Sequence, residues 1–388
     1  MRFQPNKLLI ILLVLVGHCT TLHAQEQSKK AEKKALFRDT LDNKLDLSQW
    51  LIQASGFIPI PQIITEPALG SFGMMFTPIF IKPNKHHEKG KYVAPDITAG
   101  FAGYTANHTW GLGAMRIATL PQYGIKYRVG GAFGNVNMNY YRDVGNLGEH
   151  EFSFNFEMTP VFLSVLKEIS NTNIYAGLQY MYMYTKISPK FAYNNLPDFI
   201  SEADITNQTS TVGIAGEYDA RDNIFTPNKG TFISTNIRMN GNWTGSDYNF
   251  QNLNFSILQY LQFTDAWVSG FRFETKHLFG KAPFYMEPGV SLRGVPLSRY
   301  QGKNTYVVET EQRYDVSRRW SAVIFTGLGK AQPENISWSD ADWVYNYGTG
   351  FRYLLVRVFK LRMGIDVAWS NNDFGYYLTF GSAWNNRG

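Results

Sequence analysis

The feature that most constrains the fold is a strict alternation of apolar and polar residues over long stretches. In residues 152–159, Phe, Phe, Phe and Met alternate with Ser, Asn, Glu and Thr. Successive side chains of a β-strand point to opposite faces, so each such run predicts one apolar and one polar face. Soluble sandwich strands are usually about five to six residues long, whereas a tilted strand that crosses a bilayer needs about 9–11 residues. Runs such as 151–166 and 251–263 therefore favour membrane-crossing strands.

The composition points the same way. Aromatic residues make up 15% of the chain, and there are 34 glycines. No run of about 18 apolar residues follows the N-terminus, so a membrane-spanning helix is not predicted there. The mean hydropathy is only −0.25. A barrel explains this combination because half of each strand faces a wet lumen while aromatic girdles face the lipid.

Fifteen strands can be assigned from the alternation. Single-chain bacterial barrels usually have an even number of strands, so we expect one more, most readily in the N-terminal half. The predicted fold is all-β: a closed antiparallel transmembrane β-barrel of 16 strands, preceded by a short amphipathic helix. The assigned runs are 71–81, 96–104, 110–120, 125–141, 151–166, 173–187, 209–218, 231–239, 249–263, 267–279, 305–314, 320–329, 345–356, 361–370 and 376–384.

Residues 1–24 have the pattern of a secretory signal peptide. Arg2 and Lys7 precede the apolar run 8–16, and Ala24 supplies the small residue before the expected cleavage site. The run is too short for a retained membrane anchor. A lipoprotein attached at Cys19 is a second alternative, but His18 stands where a small residue is required. Since Cys19 is the only cysteine, the mature chain has no disulfides or thiolate metal sites.

Residues 25–55 are predicted to be a polar linker ending in a short amphipathic helix over 41–54. Gly56, Pro59 and Pro61 end this segment. The barrel is then expected to occupy residues 56–388.

Four stretches resemble the BamA/TamA outer-membrane superfamily, also called the bacterial surface antigen family. The first is residues 57–67 with Gly70, which is similar to the entry into the first strand of short members. The second, 218–230, resembles the family's Tyr-Asp-x-Arg-Asp-Asn-x-x-x-Pro-x-x-Gly turn at seven positions. In such a turn, Asp and Asn accept backbone N–H groups and Gly supplies a permissive conformation. The candidate periplasmic-turn residues are Asp219, Arg221, Asp222, Pro227 and Gly230.

The third stretch, Leu292-Arg293-Gly294-Val295, resembles the tip of the family's sixth outer loop. The resemblance implies that this loop folds into the barrel and that its arginine meets acidic groups on the wall. The usual partner is an Asp in a Phe-x-Asp-x-Gly strand motif, but Gly327 stands at that position here. A buried guanidinium needs a counter-charge, so Glu309 and Glu311 become the expected partners of Arg293.

The fourth stretch is the final strand, where Tyr376, Leu378, Phe380 and Trp384 are predicted to share one face. It resembles the C-terminal signal that folding machinery reads on barrel substrates. Most members of the family also carry POTRA domains, and residues 25–55 leave no room for one. The resemblance therefore implies a short member that has the barrel but not the substrate-receiving arm.

The sequence argues against other classes of function. The net charge is +6, but no basic stripe tracks a phosphate backbone, so nucleic acid is not an expected partner. There is no Gly-x-Ser-x-Gly elbow and no phosphate-binding loop. His86 and His87 fit a solvated turn better than a metal site. We therefore expect no enzyme activity, cofactor or metal. The expected partners are outer-membrane lipid and lipopolysaccharide, with periplasmic or surface lipoproteins as further candidates.

Two functions remain in competition. The first is membrane-protein assembly or translocation through a labile seam between the first strand, near 71–81, and the last strand, 376–384. Small residues at Gly73, Gly381 and Ala383 would weaken that seam. The alternative is a passive pore or structural barrel whose lumen is set by charged side chains. Those side chains are Arg272, Glu274, Lys276, Glu309 and Glu311.

These patterns predict an exported outer-membrane protein whose mature chain begins at Gln25. N-terminal sequencing should find that residue, and cell fractionation should place the protein with outer membranes. An intact barrel should also migrate faster on a gel before boiling than after it. Recovery in the soluble periplasmic fraction would contradict the prediction.

Overall fold

The computed structural model describes most of the chain from residue 36 to residue 384. The predicted signal peptide, residues 25–35 of the linker, His86, His87 and the last four residues lie outside the described part. The described ranges are 36–53, 57–64, 66, 69–70, 72–84, 94–143, 149–170, 172–191, 199–296, 298–371 and 373–384.

Within the described residues, sixteen strands form one antiparallel sheet in chain order, so that each strand pairs with the next along the sequence. This confirms the predicted 16-stranded barrel, and each of the fifteen assigned runs corresponds to one strand. The strands are β1 Phe57–Ile64, β2 Gly73–Lys82, β3 Asp96–Thr105, β4 Trp110–Leu120, β5 Ile125–Asp143, β6 Glu149–Glu168, β7 Ile174–Pro189, β8 Thr206–Asp219, β9 Gly230–Asn240, β10 Phe250–Gln262, β11 Trp267–Gly280, β12 Asn304–Asp315, β13 Trp320–Gln332, β14 Trp343–Val356, β15 Leu361–Ser370 and β16 Phe374–Phe380.

The sixteenth strand is β1, which the sequence presented as a proline-rich entry segment. Pro59 and Pro61 lie within it, and both are paired in register with β2. A terminal strand tolerates proline where the missing N–H faces away from its paired neighbour. The prediction that 71–81 forms the first strand is therefore wrong, because that run is β2.

The two faces of the strands differ as a bilayer requires. Along β13, Ile324 and Leu328 are 60% and 53% exposed on the outer wall, whereas Val323 and Phe325 are buried inside. Large apolar side chains exposed in this way form a band that suits lipid rather than water. No helix in the described part of the chain is long and apolar enough to cross a membrane.

The two longest connections, 190–205 and 281–303, lie at one end of the barrel, and several four-residue turns lie at the other end. In bacterial barrels the short turns face the periplasm and the long loops face outward. We use "inward loop" for 281–303, between β11 and β12, and "mouth turn" for 220–229, between β8 and β9. Short turns include 263–266, 316–319 and 357–360, and long loops include 190–205, 281–303 and 333–342.

The N-terminal helix is shorter than predicted. Helix α1 covers only Ser48–Gln53, while the residues before it form turns. Asp39, Asp42 and Asp46 each accept a hydrogen bond from the backbone N–H two residues ahead. Aspartate side chains that capture local N–H groups compete with helix formation, which explains the late helix start.

These aspartates also fasten the N-terminus to the periplasmic end of the barrel. Arg319, in the turn between β12 and β13, donates to Asp42 at 2.7 Å, to Asp46 at 2.5 Å and to Asp39. Arg357, in the next short turn, donates to Asp39 at 2.7 Å. We call residues 38–46 the acidic hook. The hook places α1 against the start of β1, where Leu51 packs in one apolar cluster with Ile58.

We expect Arg319→Ala to release the acidic hook, because three neighbouring carboxylates would lose their shared cation. Limited proteolysis within 36–53 should become roughly tenfold faster, since local opening controls such cleavage. Arg318→Ala, in the same turn, is the matched control. Equal cleavage rates in Arg319→Ala and wild type would contradict the prediction.

The hook should also respond to acid. The hydrogen bond from Arg319 lowers the pKa of Asp42 from 3.8 to about 2. A carboxyl with a lowered pKa stabilises the docked form above its ordinary pKa, and this contribution is lost as the pH falls through the lowered value. Proteolysis with an acid-active protease should therefore find the hook docked at pH 5 and released only towards about pH 2. Release already at pH 5 would show that Asp42 does not hold the hook in this way.

Candidate functional site

The inward loop fills the middle of the lumen. Val290, Leu292 and Val295 are buried in one cluster with residues of β12 and β14. Gly294 has a φ of +85°, and a Cβ there would lie 3.2 Å from Ala368 on the opposite wall. Its N–H donates to the Tyr377 hydroxyl at 2.8 Å. Glycine is therefore required where the loop tip touches β15 and β16.

Arg293 is the centre of this contact and is only 1% exposed. Its guanidinium donates to Glu309 at 2.9 Å, to Glu311 at 2.7 Å and to Asp366 at 2.9 Å. It also lies 3.4 Å from the centre of the Phe325 ring. The structure thus brings the sequence-predicted residues Arg293, Glu309 and Glu311 together, with Gly294 beside them.

Asp366 is the acidic partner that sequence reasoning missed. It lies on β15 and also binds Arg352, with contacts of 2.5 and 2.9 Å. The signal was present in the alternation, since Arg362, Asp366 and Ser370 share the inward face of β15. The Phe-x-Asp-x-Gly motif instead points to position 327, where glycine stands.

The glycine at position 327 has a steric reason. A Cβ there would lie 2.8 Å from Leu292 of the inward loop and 2.9 Å from the Val308 carbonyl oxygen. Gly327 therefore leaves the space that Leu292 occupies, while β15 supplies the carboxylate through Asp366.

The ionic network continues along the wall to the C-terminus. Arg272 donates to Glu309 at 3.2 Å and pairs with Glu274 at 3.0 Å. Glu309 Oε2, which accepts from Arg272, also accepts the indole N–H of Trp384 at 2.7 Å. One buried carboxylate thus connects the inward loop, the barrel wall and the chain end.

The position of Trp384 corrects the predicted C-terminal face. Tyr376 lies on the outer wall, and Leu378 and Phe380 follow it in the alternation, but β16 ends at Phe380. Gly381, with φ at +75°, turns the chain inward. Trp384 then packs on Tyr260, with ring centres 5.7 Å apart, inside the barrel. The last aromatic therefore does not share the outer face with the other three.

The mouth turn keeps the internal bonds that its motif predicts. Arg221 binds Asp219 through two contacts of 2.9 Å. Asp222 accepts the backbone N–H of Asn228 at 2.9 Å, and Gly230 has a φ of +111°. Pro227 fixes the backbone between these residues.

The mouth turn also reaches across the periplasmic end of the lumen. Asn223 donates to the Phe359 carbonyl oxygen at 3.0 Å, and the Phe225 carbonyl oxygen accepts the Ser382 N–H at 2.6 Å. Thr226 accepts the Arg362 N–H at 3.3 Å. This turn therefore joins β8 and β9 to the turn 357–360, to β15 and to the residues after β16.

An aromatic cluster occupies the outer end. β6 is 20 residues long, about twice what a bilayer crossing needs, so its outer half extends beyond the membrane. There the apolar face turns inward: Phe154 and Phe156 are buried, while Val161 and Val165 are exposed lower on the strand. The cluster comprises Tyr140, Phe152, Phe154, Phe156, Phe191, Phe199, Phe284 and Tyr285.

The edges of the sheet meet at a seam between β1 and β16. All fifteen neighbouring strand pairs are hydrogen-bonded, but the described residues show no backbone pairing of β1 with β16. The two strands are close, and Phe380 packs against the cluster that contains Ile58 and Ile60. Gly73 belongs to β2 and Gly381 to the inward bend, so small residues do not weaken this seam as predicted.

The fold and its packed lumen define an outer-membrane β-barrel with an inward-folded loop. A family model described as the Omp85 superfamily domain matches residues 134–373, more than half of the chain. The chain therefore belongs to the Omp85 superfamily, whose members are outer-membrane proteins. This confirms the resemblance to the BamA/TamA group.

Solved structures support the same fold. BamA from Haemophilus ducreyi lacking POTRA domains 1-3 matches with a TM-score of 0.54 and 9% identity, over 83% of this chain and 69% of that one. CdiB from Escherichia coli matches with a TM-score of 0.56 and 9% identity, over 82% and 61%. CdiB from Acinetobacter baumannii gives 0.53 and 11%, over 84% and 59%. Such low identities show the fold alone. No curated protein matches the chain.

We expect Arg293→Ala to destabilise the barrel by about 3–5 kcal/mol, because it leaves buried carboxylates without their cation. The temperature at which the folded band disappears on semi-native gels should fall. Lys281→Ala, an exposed change in the same loop, is the control and should leave that temperature unchanged. Unchanged melting of Arg293→Ala would contradict a locking role for this residue.

Proposed function

We propose that this protein acts in membrane-protein assembly or translocation through a labile seam between β1 and β16. The observation that carries the proposal is that, among the described residues, no backbone hydrogen bonds pair β1 with β16. An apolar cluster that contains Ile58 and Ile60, and against which Phe380 packs, lies at the junction instead. Packing of this kind can separate without breaking a row of backbone hydrogen bonds.

The surrounding structure supports opening at the seam rather than elsewhere. Arg293 fixes the inward loop to Glu309 of β12 and to Asp366 of β15, and the mouth turn fixes the region after β16. The other strand pairs are thereby held by backbone hydrogen bonds and ion pairs, while the junction between β1 and β16 depends on apolar contacts. In this proposal, Arg293, Gly294, Glu309 and Glu311 act as the loop lock.

The passive-pore alternative has less support. The charged residues proposed to set its selectivity are paired with each other, as Lys276 is with Glu274 at 3.1 Å and Arg272 with Glu309. The inward loop, the mouth turn and the aromatic cluster also occupy the middle and both ends of the lumen. A steady open conductance in planar bilayers would nevertheless favour the pore.

The proposal extends to the setting of the protein. Residues 1–24 act as a cleaved signal peptide, 25–55 link it to the barrel, and 56–388 form the barrel. The partners are outer-membrane lipid and lipopolysaccharide, with periplasmic or surface lipoproteins as further candidates. The chain spans about three fifths of each CdiB chain that it matches, so no substrate is transferred from those proteins.

We expect a disulfide across the seam to abolish function. Two cysteine pairs, Ile58→Cys with Phe380→Cys and Ile60→Cys with Phe380→Cys, place both cysteines in or against one apolar cluster. The variant whose disulfide forms completely on oxidation is used as the locked form. Cells with only the locked protein should show the outer-membrane protein profile of cells that lack it, and a reductant should reverse this. Cys19, in the predicted signal peptide, is the only native cysteine, so the mature background is clean.

A disulfide between Ile365 and Leu378 is the matched control for this lock. These residues are directly opposed on β15 and β16, two strands that are already joined by backbone hydrogen bonds. This bridge should leave function intact. If the seam-locked protein supports every phenotype of the unlocked one, seam opening is not the mechanism and the pore alternative takes its place.

A further inference from the structure

A groove lies on the outer wall of the barrel, at the outer end of β12, β13 and β14. Its volume is about 550 Å³, and it is lined by Tyr306, Val308, Leu328, Trp338 and Trp343. Sites that hold small ligands have volumes of roughly 300–1,000 Å³ and mostly apolar walls. The groove therefore has the size and the lining of a site for an apolar chain.

The strand register arranges the groove in two rows. Val308 directly opposes Leu328, and this pair forms the row nearer the middle of the membrane. In the next row outward, Tyr306 opposes Lys330, and Lys330 in turn opposes Trp343. The groove thus has an aliphatic floor and, at its outer rim, a lysine between two aromatic residues.

The length of β13 sets the height of this rim in the membrane. Trp320, at the periplasmic start of β13, is exposed on the outer wall, where tryptophan marks a membrane interface. A strand crosses the bilayer with about 9–11 residues, so the opposite interface falls near Lys330, just before the outward loop 333–342. The rim therefore lies at the level of the outer-leaflet head groups, and the floor lies among the acyl chains.

Lys330, at the rim, is a buried cation without a counter-charge. It is only 2% exposed, and its ammonium lies 4.8 Å from the centre of the Trp338 ring and 4.7 Å from that of Trp343. Within the part of the chain that the structure describes, Lys330 makes no ion pair and no hydrogen bond. Aromatic faces compensate a cation only in part, whereas buried charges are normally paired with hydrogen-bonded counter-ions. The position of Lys330 therefore suits an anion.

Carboxylates of the outward loop 333–342 are engaged elsewhere. Glu334 pairs with Lys303 at 3.5 Å. Asp340 accepts a hydrogen bond from Ser337 at 2.7 Å. Since neither of these groups pairs with Lys330, the anion that completes the site comes from outside the chain.

We propose that this groove binds lipopolysaccharide, with an acyl chain on Val308 and Leu328 and a phosphate of the lipid anchor on Lys330. Lipopolysaccharide is the phosphorylated and acylated lipid of the outer leaflet, so its chemistry and its position match both rows. The phosphate supplies charge-assisted hydrogen bonds to the ammonium, and the chain covers apolar side chains. The site is separate from the seam, so the inference goes beyond the proposed function and does not require the seam to open.

Trp338 is the residue that must move when the phosphate binds. Its indole is half-exposed, belongs to a largely exposed loop, and contacts Tyr306 and Trp343 with ring centres 4.9 and 6.3 Å apart. A phosphate can replace this ring at Lys330, because charge-assisted hydrogen bonds are stronger than a cation–π contact. Trp338 therefore covers the ammonium in the ligand-free protein.

Lipid titration followed by native mass spectrometry tests this inference. The full mature protein, freed of lipid in detergent, is titrated with lipid A, with lipid A whose phosphates have been removed, and with phosphatidylglycerol. Lys330→Met removes the charge and keeps a long side chain, and Leu328→Trp fills the groove without changing the charge. Lys186→Met is the matched control, because Lys186 is an exposed lysine near the outer end of β7.

Lipid A should bind Lys330→Met roughly tenfold more weakly than wild type, because a charge-assisted contact is lost. It should bind Lys186→Met and wild type equally. Lipid A without phosphates should not distinguish Lys330→Met from wild type, whereas Leu328→Trp should weaken the binding of both forms.

Equal affinity of lipid A for Lys330→Met and wild type would overturn the inference. Phosphatidylglycerol that binds wild type as tightly as lipid A does, with the same dependence on Lys330, would also overturn it, because the site would then belong to a glycerophospholipid. Neither outcome depends on the seam-lock phenotype, so failure here is distinguishable from failure of the proposed function.

Discussion

The barrel depends on one buried cation. Arg293 loses its hydration inside the lumen and is compensated by Glu309, Glu311 and Asp366, with Phe325 beneath its plane. A buried guanidinium with incomplete partners would be strongly destabilising, so the inward loop can dock only when β12 and β15 are both correctly placed. Glu309 carries the same constraint to Trp384. The charged lumen therefore ties β11, β12, β14 and β15 to the inward loop and to Trp384.

Among the described residues, the seam between β1 and β16 lacks the ionic contacts that fix this region. β1 is paired on one side with β2, and on the other side it is held by apolar packing and by the neighbouring helix α1. The acidic hook adds a second attachment through Arg319. Because these contacts are made by side chains, β1 can separate from β16 without breaking a row of backbone hydrogen bonds. A junction built in this way can open while the rest of the sheet stays paired.

The sequence predicted the parts of the structure that follow from periodicity. Alternation located fifteen strands, and a counter-charge argument paired Arg293 with Glu309 and Glu311. β1 was missed because Pro59 and Pro61 weaken a strand pattern unless the open edge is known. Asp366 was missed because the family motif places the acidic partner at position 327. The glycine there is explained only by the contact with Leu292, which is distant in sequence. The inward turn of Trp384 depends on Glu309 and Tyr260, which no local pattern around Gly381 reveals.

The central claim is that Pro59 and Pro61, which lie in the edge strand β1 and have no N–H to donate, keep β1 from forming a ladder with β16. Hydrogen–deuterium exchange at the Leu378 and Phe380 amides, in wild type and in the Pro59→Ala/Pro61→Ala variant, tests it most directly. The two restored N–H groups of β1 allow a ladder in which the Leu378 and Phe380 amides donate to β1 carbonyl oxygens. Each hydrogen bond contributes about 0.5–1.5 kcal/mol, so exchange at these two amides should slow roughly tenfold or more in the variant. Amides of β15 serve as the internal reference and should not change. Equal exchange at Leu378 and Phe380 in both proteins would contradict the account.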